Sequence, residues 1–237
     1  MRILDRISIY YFVIAFLSSL YVVGAFTFGV QQVLLQALPA ILATVVSGLL
    51  LDYFELKRWI KPLTPLITGL ILGLVAQFGA SVTNLVVVGV ASMVIKFLVK
   101  WDGRHIFNPA GSGLLIGSLL LSSHPSWWVG GENLWIYLIW IPILLYKMRR
   151  WAPMVGFLLP VLVVGGINIL LSASLLFFIS VMLIEPKTSP FTIRNGLIYG
   201  LMVGMGYLLF SQTNLDPLIS ALLLGNFGGR LLDKYLV

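Results

Sequence analysis

The chain has 237 residues, of which 59% are hydrophobic and 10% are charged, and its formal net charge at pH 7 is +7. A soluble domain of this length does not reach such an apolar composition, so we predict an all-α polytopic membrane protein. We assign the excess positive charge to contact with anionic lipids and expect no nucleic-acid partner. The sequence has no cysteine, which excludes a thiolate-bound iron–sulfur cluster and a thiol nucleophile. We predict neither catalytic residues nor a metal site.

The basic residues define the predicted topology, because they fall into six short clusters: Arg2 and Arg6; Lys57, Arg58 and Lys61; Lys96, Lys100 and Arg104; Lys147, Arg149 and Arg150; Lys187 and Arg194; Arg230 and Lys234. The segments between them cover 7–56, 62–95, 105–146, 151–186 and 195–229. One helix needs roughly 20 residues to cross about 30 Å of hydrocarbon, so each segment accommodates two helices. Ten spans place every cluster on one face, which the positive-inside rule makes cytoplasmic together with both termini.

In chain order the predicted spans cover 7–28, 33–51, 63–78, 83–99, 106–121, 134–146, 152–168, 171–184, 195–210 and 216–232. The first is longer than the apolar core of a signal peptide and is expected to be retained. The third, sixth and eighth are too short to cross as straight helices, which predicts broken helices or a locally thinner membrane. No linker divides residues 1–237, so we expect a single integral membrane domain. Trp127, Trp128 and Trp135 are expected to form an interfacial aromatic belt.

An internal similarity connects the starts of the fifth and tenth spans. Residues 108–117 read NPAGSGLLIG and residues 216–225 read DPLISALLLG. Because five is an odd number, two repeats of five spans must insert in opposite senses. The sequence therefore predicts an inverted repeat, with one half covering about 7–121 and the other about 134–233.

Both of these helix starts have two interpretations. An Asn-Pro or Asp-Pro step is typical of an ordinary capped helix, with the side chain accepting from a free N–H group. Alternatively, the N-termini at Asn108, on the cytoplasmic side, and Asp216, on the external side, face vestibules that bind a polar or anionic ligand. On the second interpretation Gly111 and Ser112 belong to the inner site.

The segment EPKTSP at residues 185–190 is the second candidate region. Two prolines prevent regular helix there, so the backbone must face water or a cavity. It is either a plain cytoplasmic loop or a binding segment. In a binding segment, Thr188 and Ser189 would supply hydroxyl groups, and Lys187 or Arg194 would stabilise an anionic ligand.

Residues 102–110, DGRHIFNPA, and the segment EPKTSP resemble two motifs of the membrane subunits NqrB and RnfD. These subunits belong to the sodium-pumping NADH:quinone oxidoreductase and to the Rnf electron transport complex. The resemblance implies a urea-transporter-like inverted repeat of five plus five helices in a bacterial-type cytoplasmic membrane. It also implies a bound flavin, either riboflavin or FMN, and partners among the membrane and soluble subunits of a redox complex, with quinone as a candidate acceptor. It further implies a non-autonomous subunit of an oxidoreductase or ion-translocating complex, and whether the chain has enzymatic activity of its own is left open by the sequence.

Within that resemblance the candidate flavin-binding residues are Asn108, Gly111, Ser112, Lys187, Thr188, Ser189, Arg194 and Asp216. In the family, one FMN is esterified to a Thr of a Ser-Gly-Ala-Thr motif, which is absent from this sequence. The nearest spacing, Ser189 to Thr192, lacks the Gly-Ala pair. We therefore expect noncovalent flavin and no covalent attachment.

Two other function classes stay open at the level of the sequence. An inverted repeat with two opposed helix N-termini could conduct a small polar solute, and a chain without cofactor could anchor a soluble oxidoreductase. A channel predicts a continuous polar path, whereas an electron carrier predicts a blocked vestibule and a bound chromophore.

Overall fold

The computed structural model describes residues 7–129, 131 and 133–236. Apart from one short β-hairpin, this part of the chain is helical, with helices α1 (Ile9–Phe28), α2 (Val30–Leu56), α3 (Leu63–Val75), α4 (Val82–Leu98), α5 (Pro109–Leu121), α6 (Trp135–Met148), α7 (Trp151–Gly165), α8 (Ala173–Met182), α9 (Ile193–Phe210) and α10 (Pro217–Tyr235). The last five residues of α8 are π-helical, and a 3₁₀ turn precedes it at Ile167–Leu171. The hairpin strands are β1 (Lys100–Trp101) and β2 (Arg104–His105).

The positions of the helices agree with the sequence, since each predicted span overlaps one of them. Within the described residues, α1, α2 and α9 are long and apolar enough to cross a membrane, and six further apolar helices are shorter. The chain is thus a helical membrane protein. A crossing by every helix stays a prediction, and the first basic cluster, Arg2 and Arg6, lies outside the described residues.

The helices of the N-terminal and C-terminal halves of the chain pack in a similar order, and glycines lie at the close contacts. Helix α4 lies between α2 and α5, and α9 lies between α7 and α10. A Cβ at Gly89 of α4 would lie 2.8 Å from Ala43 of α2, and one at Gly200 of α9 would clash with the backbone of Pro153 in α7. Small residues permit this close approach of apolar helices. Across the halves, α5 packs on α10 and α1 packs on α6.

Helix α5 is a short helix followed by non-helical chain. Its 13 residues span about 20 Å at 1.5 Å per residue, less than a hydrocarbon core. After Ser122 the chain runs back along the end of α3, where Ser126 and Trp127 both donate N–H groups to Val75 O and Val129 donates to Leu74 O. Carbonyl groups left free at the end of α3 are satisfied in this way, which is what irregular backbone inside a membrane protein requires.

The position of this segment shows that the predicted aromatic belt is wrong for Trp128. Trp128 is buried, donates its Nε1–H to Gly73 O at 2.7 Å, and packs against Tyr21 and Phe28. Trp127 is half-buried, and only Trp135, with 55% of its surface exposed, has the exposure of a belt residue. The returning chain draws Trp128 into the core because its ring fills the space beside α3 and its indole N–H finds a free carbonyl there.

Candidate ligand-binding site

Asn108 is fully engaged at the start of α5. Its Oδ1 accepts the N–H of Gly111 at 2.9 Å, which caps the helix as the Asn-Pro step predicts. Its Nδ2 donates to Glu185 Oε2 at 2.8 Å, and its own N–H donates to Asn226 Oδ1 at 2.8 Å. Asn226 is fully buried in α10 and donates in turn to the hydroxyl of Tyr199. The buried Asn108 therefore joins α5 to α10 through its backbone N–H and to the segment after α8 through its side chain.

Glu185 organises the segment that follows α8. Thr188 Oγ1 donates to Glu185 Oε2 at 3.2 Å, and Ser189 Oγ donates to Glu185 O at 2.8 Å. Both hydroxyl-bearing residues are buried, at 2% and 4% exposure. The two hydroxyl groups therefore shape the turn and hold the Glu185 carboxylate toward Asn108.

His105 and Arg230 complete the junction between the two motifs. Nε2 of His105 lies 3.7 Å from Glu185 Oε1 and is a buried atom without a hydrogen-bond partner among the described residues. Nη2 of Arg230 donates to His105 O at 2.9 Å and to Lys187 O at 2.7 Å. Helix α10 thus holds the backbone at His105 and at Lys187, on the two sides of the candidate site.

A partly open cavity of about 150 Å³ lies beside this junction. Side chains of α1 and α3, including Val13, Ile67 and Ile71, form an apolar wall. The polar side chains of the lining are those of Tyr10, Thr64, Thr68, Lys96, His105, Asn108, Glu185 and Lys187. An apolar wall with a few convergent polar groups is the usual constitution of a small-molecule site.

Lys96 brings a cation to the cavity from α4. Its Nζ donates to Thr64 Oγ1 at 3.2 Å, and its side chain also lines a small recess next to Asp52 and Glu55. Together with Lys187 it gives the cavity two ammonium groups, opposed by the single carboxylate of Glu185. The charged lining therefore carries a net positive charge of one with His105 neutral, which favours an anionic or electron-rich ligand.

The structure brings together only some of the residues selected from the sequence. Asn108 and Lys187 line the cavity, and Thr188 and Ser189 support it through Glu185. Gly111 and Ser112 lie outside its lining, since a Cβ at Gly111 would face Leu222 and Leu223 of α10 and the Ser112 hydroxyl donates to Pro109 O. Arg194 is exposed in the first turn of α9.

Asp216 occupies the second helix start, away from the cavity. Its Oδ1 caps α10 by accepting the N–H of Ile219 at 2.8 Å, and its Oδ2 accepts the indole N–H of Trp127 at 2.7 Å. The Trp127 ring contacts Phe177 and Phe178 of α8. The carboxylate is therefore bonded to an aromatic cluster, while Asp216 itself stays half-buried.

The choice of site residues from the sequence missed several polar residues of the cavity, among them Thr64, Lys96, His105 and Glu185. Glu185 and His105 both lie inside the two motifs, so the motifs contained the signal. Thr64 and Lys96 are polar residues in otherwise apolar spans, and intramembrane polar residues are a general pointer to function.

The cavity offers polar groups suited to a flavin, but it is too small to enclose the whole molecule. The polar groups offer donors and acceptors of the kind that the edge of an isoalloxazine ring requires, and the buried His105 Nε2, beside Glu185, has no hydrogen bond among the described residues. Cofactor-sized sites have volumes of roughly 300–1,000 Å³, about twice this cavity or more. A ring edge fits inside, and the rest of the molecule must extend through the opening.

Comparison of the chain with protein-family models found no matching family, and comparison with curated protein sequences found no match. The resemblance to NqrB and RnfD therefore rests on the two sequence motifs alone.

Proposed function

We propose that the protein is a membrane subunit of a flavin-dependent electron transport complex, similar to RnfD and NqrB, and that it binds riboflavin or FMN noncovalently at the cavity beside Asn108. The observation that carries the proposal is the 2.8 Å hydrogen bond from Asn108 Nδ2 to Glu185 Oε2. It joins the two motifs of the resemblance, 77 residues apart, at the edge of one cavity.

The topology we propose has ten spans in two inverted halves, with both termini and the basic clusters on the cytoplasmic side. The support is the repeated packing order, α2 to α4 to α5 and α7 to α9 to α10, with α5 on α10 and α1 on α6 across the halves. Asn108 and Asp216 cap equivalent helices in the same way. In this arrangement the cavity opens on the cytoplasmic side, where a soluble subunit supplies electrons.

The chain's own groups bind and orient the ring. A flavin supplies one- and two-electron chemistry when bound, while the protein sets its position and electrostatics. The amines of Lys96 and Lys187 favour an anionic ring, His105 Nε2 offers a hydrogen bond at the ring edge, and the apolar wall of α3 limits access of water. Electrons would pass from a bound flavin to a quinone or to a second subunit.

The bond between Asp216 and Trp127 favours a carrier over an open channel. The half-buried Trp127 indole lies against the outer helix start and packs on α8. An electron carrier is expected to have an obstructed vestibule, and we therefore place ligand access on the inner side.

The small cavity volume favours a second candidate, a site for a small polar solute. A volume of about 150 Å³ accommodates such a solute without any rearrangement. Swelling of proteoliposomes in a gradient of urea measures this directly: solute entry no faster than in empty liposomes excludes the candidate, at least for urea.

The visible absorption spectrum of detergent-purified protein tests the main proposal, followed by acid precipitation and identification of the released compound. A yellow protein that releases riboflavin or FMN supports it. Colour retained in the pellet contradicts noncovalent binding. A colourless protein that also fails to bind added riboflavin or FMN overturns the proposal.

A further inference from the structure

A second concave site lies on the surface formed by the β-hairpin and the end of α10. It has a volume of about 300 Å³ and shares no lining residue with the ligand cavity, so it can bind a ligand whether or not the cavity holds a flavin. We call it the basic groove and define it by Trp101, Arg104, Phe191, Arg230 and Lys234; Asp102 and Asp233 also line it.

The hairpin provides a rigid wall of the basic groove. Asp102 and Gly103 both have positive φ angles, 50° and 74°, as the two-residue turn of a tight hairpin requires. Trp101 and Arg104 are directly paired across the two strands. An aromatic ring and a guanidinium group are thereby fixed side by side at the mouth of the groove.

Aromatic rings hold the cations of the basic groove in place. The guanidinium of Arg104 lies 4.6 Å from the centre of the Phe191 ring, and that of Arg150 lies 4.9 Å from the same centre. Nζ of Lys234 lies 4.8 Å from the Trp101 ring. Cation–π contact orders an Arg or Lys side chain and leaves its N–H donors available to a further partner.

These cations have no acidic partner in contact. Among the described residues the ion pairs within 4.0 Å are Lys100 with Glu55 and His105 with Glu185, and none involves the basic groove. Asp233 accepts instead from Phe191 N and Asn195 Nδ2. Nε of Arg230 is buried and lacks a hydrogen-bond partner in this part of the chain. The three cations of the groove thus outnumber its two carboxylates, and none of them is in direct ion-pair contact among the described residues.

We propose that the basic groove binds a phosphate-bearing anion, carried either by the headgroup of an anionic phospholipid or by a soluble phosphate compound. Guanidinium groups bind phosphate through paired N–H donors, and the charge-assisted bonds are stronger than those to neutral groups. Its position beside a predicted cytoplasmic membrane surface gives it access to both sources. Binding reaches the ligand cavity through Arg230, whose Nη2 holds the carbonyls of His105 and Lys187.

The test compares two double variants of the full-length protein that lose the same charge. Arg104→Gln with Lys234→Gln removes two exposed cations of the basic groove. Arg58→Gln with Lys61→Gln removes two exposed cations from the cluster before α3, which lies outside it. Native mass spectrometry measures retention of phosphatidylglycerol against phosphatidylcholine, and thermal unfolding measures stabilisation by inorganic pyrophosphate.

We expect the wild type and the Arg58/Lys61 variant to retain phosphatidylglycerol preferentially or to be stabilised by pyrophosphate. The Arg104/Lys234 variant should bind that ligand roughly tenfold more weakly, or worse. Preference for the lipid alone identifies the membrane as the source, and stabilisation by pyrophosphate alone identifies a soluble ligand. Equal loss in both variants, or no response of the wild type to either probe, overturns the proposal.

Discussion

The starts of α5 and α10 have the same local sequence pattern and the same cap, yet their surroundings differ completely. Asn108 and Asp216 each precede a proline and each accept the N–H group three residues further on. Asn108 then donates to a carboxylate at the edge of a polar cavity, whereas Asp216 accepts from Trp127 beneath an aromatic cluster. One helix start lines a cavity, and the other is bonded to an aromatic cluster.

The difference lies in what each partner segment supplies. Segment 185–190 brings an acidic side chain and two hydroxyl groups to Asn108, while the returning chain after α5 brings an indole to Asp216. A capped helix N-terminus therefore does not define a ligand site by itself. The role of the helix N-terminus depends on which residue, from another part of the chain, contacts the capping side chain.

The largest effect should come from replacing Asn108 with leucine. Asn108→Leu removes the cap of α5 and leaves Glu185 without its amide partner, at a combined cost of about 2–5 kcal/mol. Thermal unfolding in detergent measures it. Asp216→Leu is the matched control at the other helix start, and a greater loss there than at Asn108 contradicts the account.

Exchanging amide and carboxylate at the two caps sharpens the comparison. Asn108→Asp keeps the cap but sets a second carboxylate against Glu185, so we expect a loss of about 1–3 kcal/mol near neutral pH. Asp216→Asn keeps both the cap and an acceptor for Trp127 and should change stability by less than about 1 kcal/mol. Chemical denaturation of the two variants side by side gives the result, and equal losses speak against distinct environments.

Trp127→Phe separates packing from hydrogen bonding at the outer helix start. The phenyl ring keeps contact with Phe177 and Phe178, while Asp216 Oδ2 loses its donor, so we expect a cost of about 1–2 kcal/mol. Ligand binding at the inner cavity should be unchanged. Flavin titration of this variant checks that independence, and a weaker affinity shows that the two helix starts are coupled.

Thr64→Val should give the smallest effect. It removes the hydroxyl that accepts from Lys96 and nearly preserves side-chain volume, with a cost of about 1 kcal/mol or less. Lys96 then loses one anchor in the cavity, which should weaken binding of an anionic ligand a few-fold. Thr68→Val, one turn away on the same wall, is the control, because its hydroxyl donates to Thr64 O and not to Lys96.

The sequence predicted those features that depend only on residues close together in the chain. The helix positions follow from apolar runs between basic clusters, and the two caps follow from Asn-Pro and Asp-Pro steps. The contact between Asn108 and Glu185 depends on how two distant segments meet, and only the family resemblance suggested that they belong to one site. The prediction that Trp128 lies in an exposed aromatic belt was wrong, because the chain after α5 folds back into the bundle. No local sequence pattern indicates that return.

The flavin content of three purified proteins tests the central claim most directly: wild type, Asn108→Asp and Asp216→Asn. Visible absorption of each, relative to protein concentration and after incubation with riboflavin or FMN, gives the ratio of flavin to protein. We predict equal content in the wild type and in Asp216→Asn and a marked loss in Asn108→Asp. Full flavin content in Asn108→Asp together with loss in Asp216→Asn would place the site at the other end of the molecule and contradict the account.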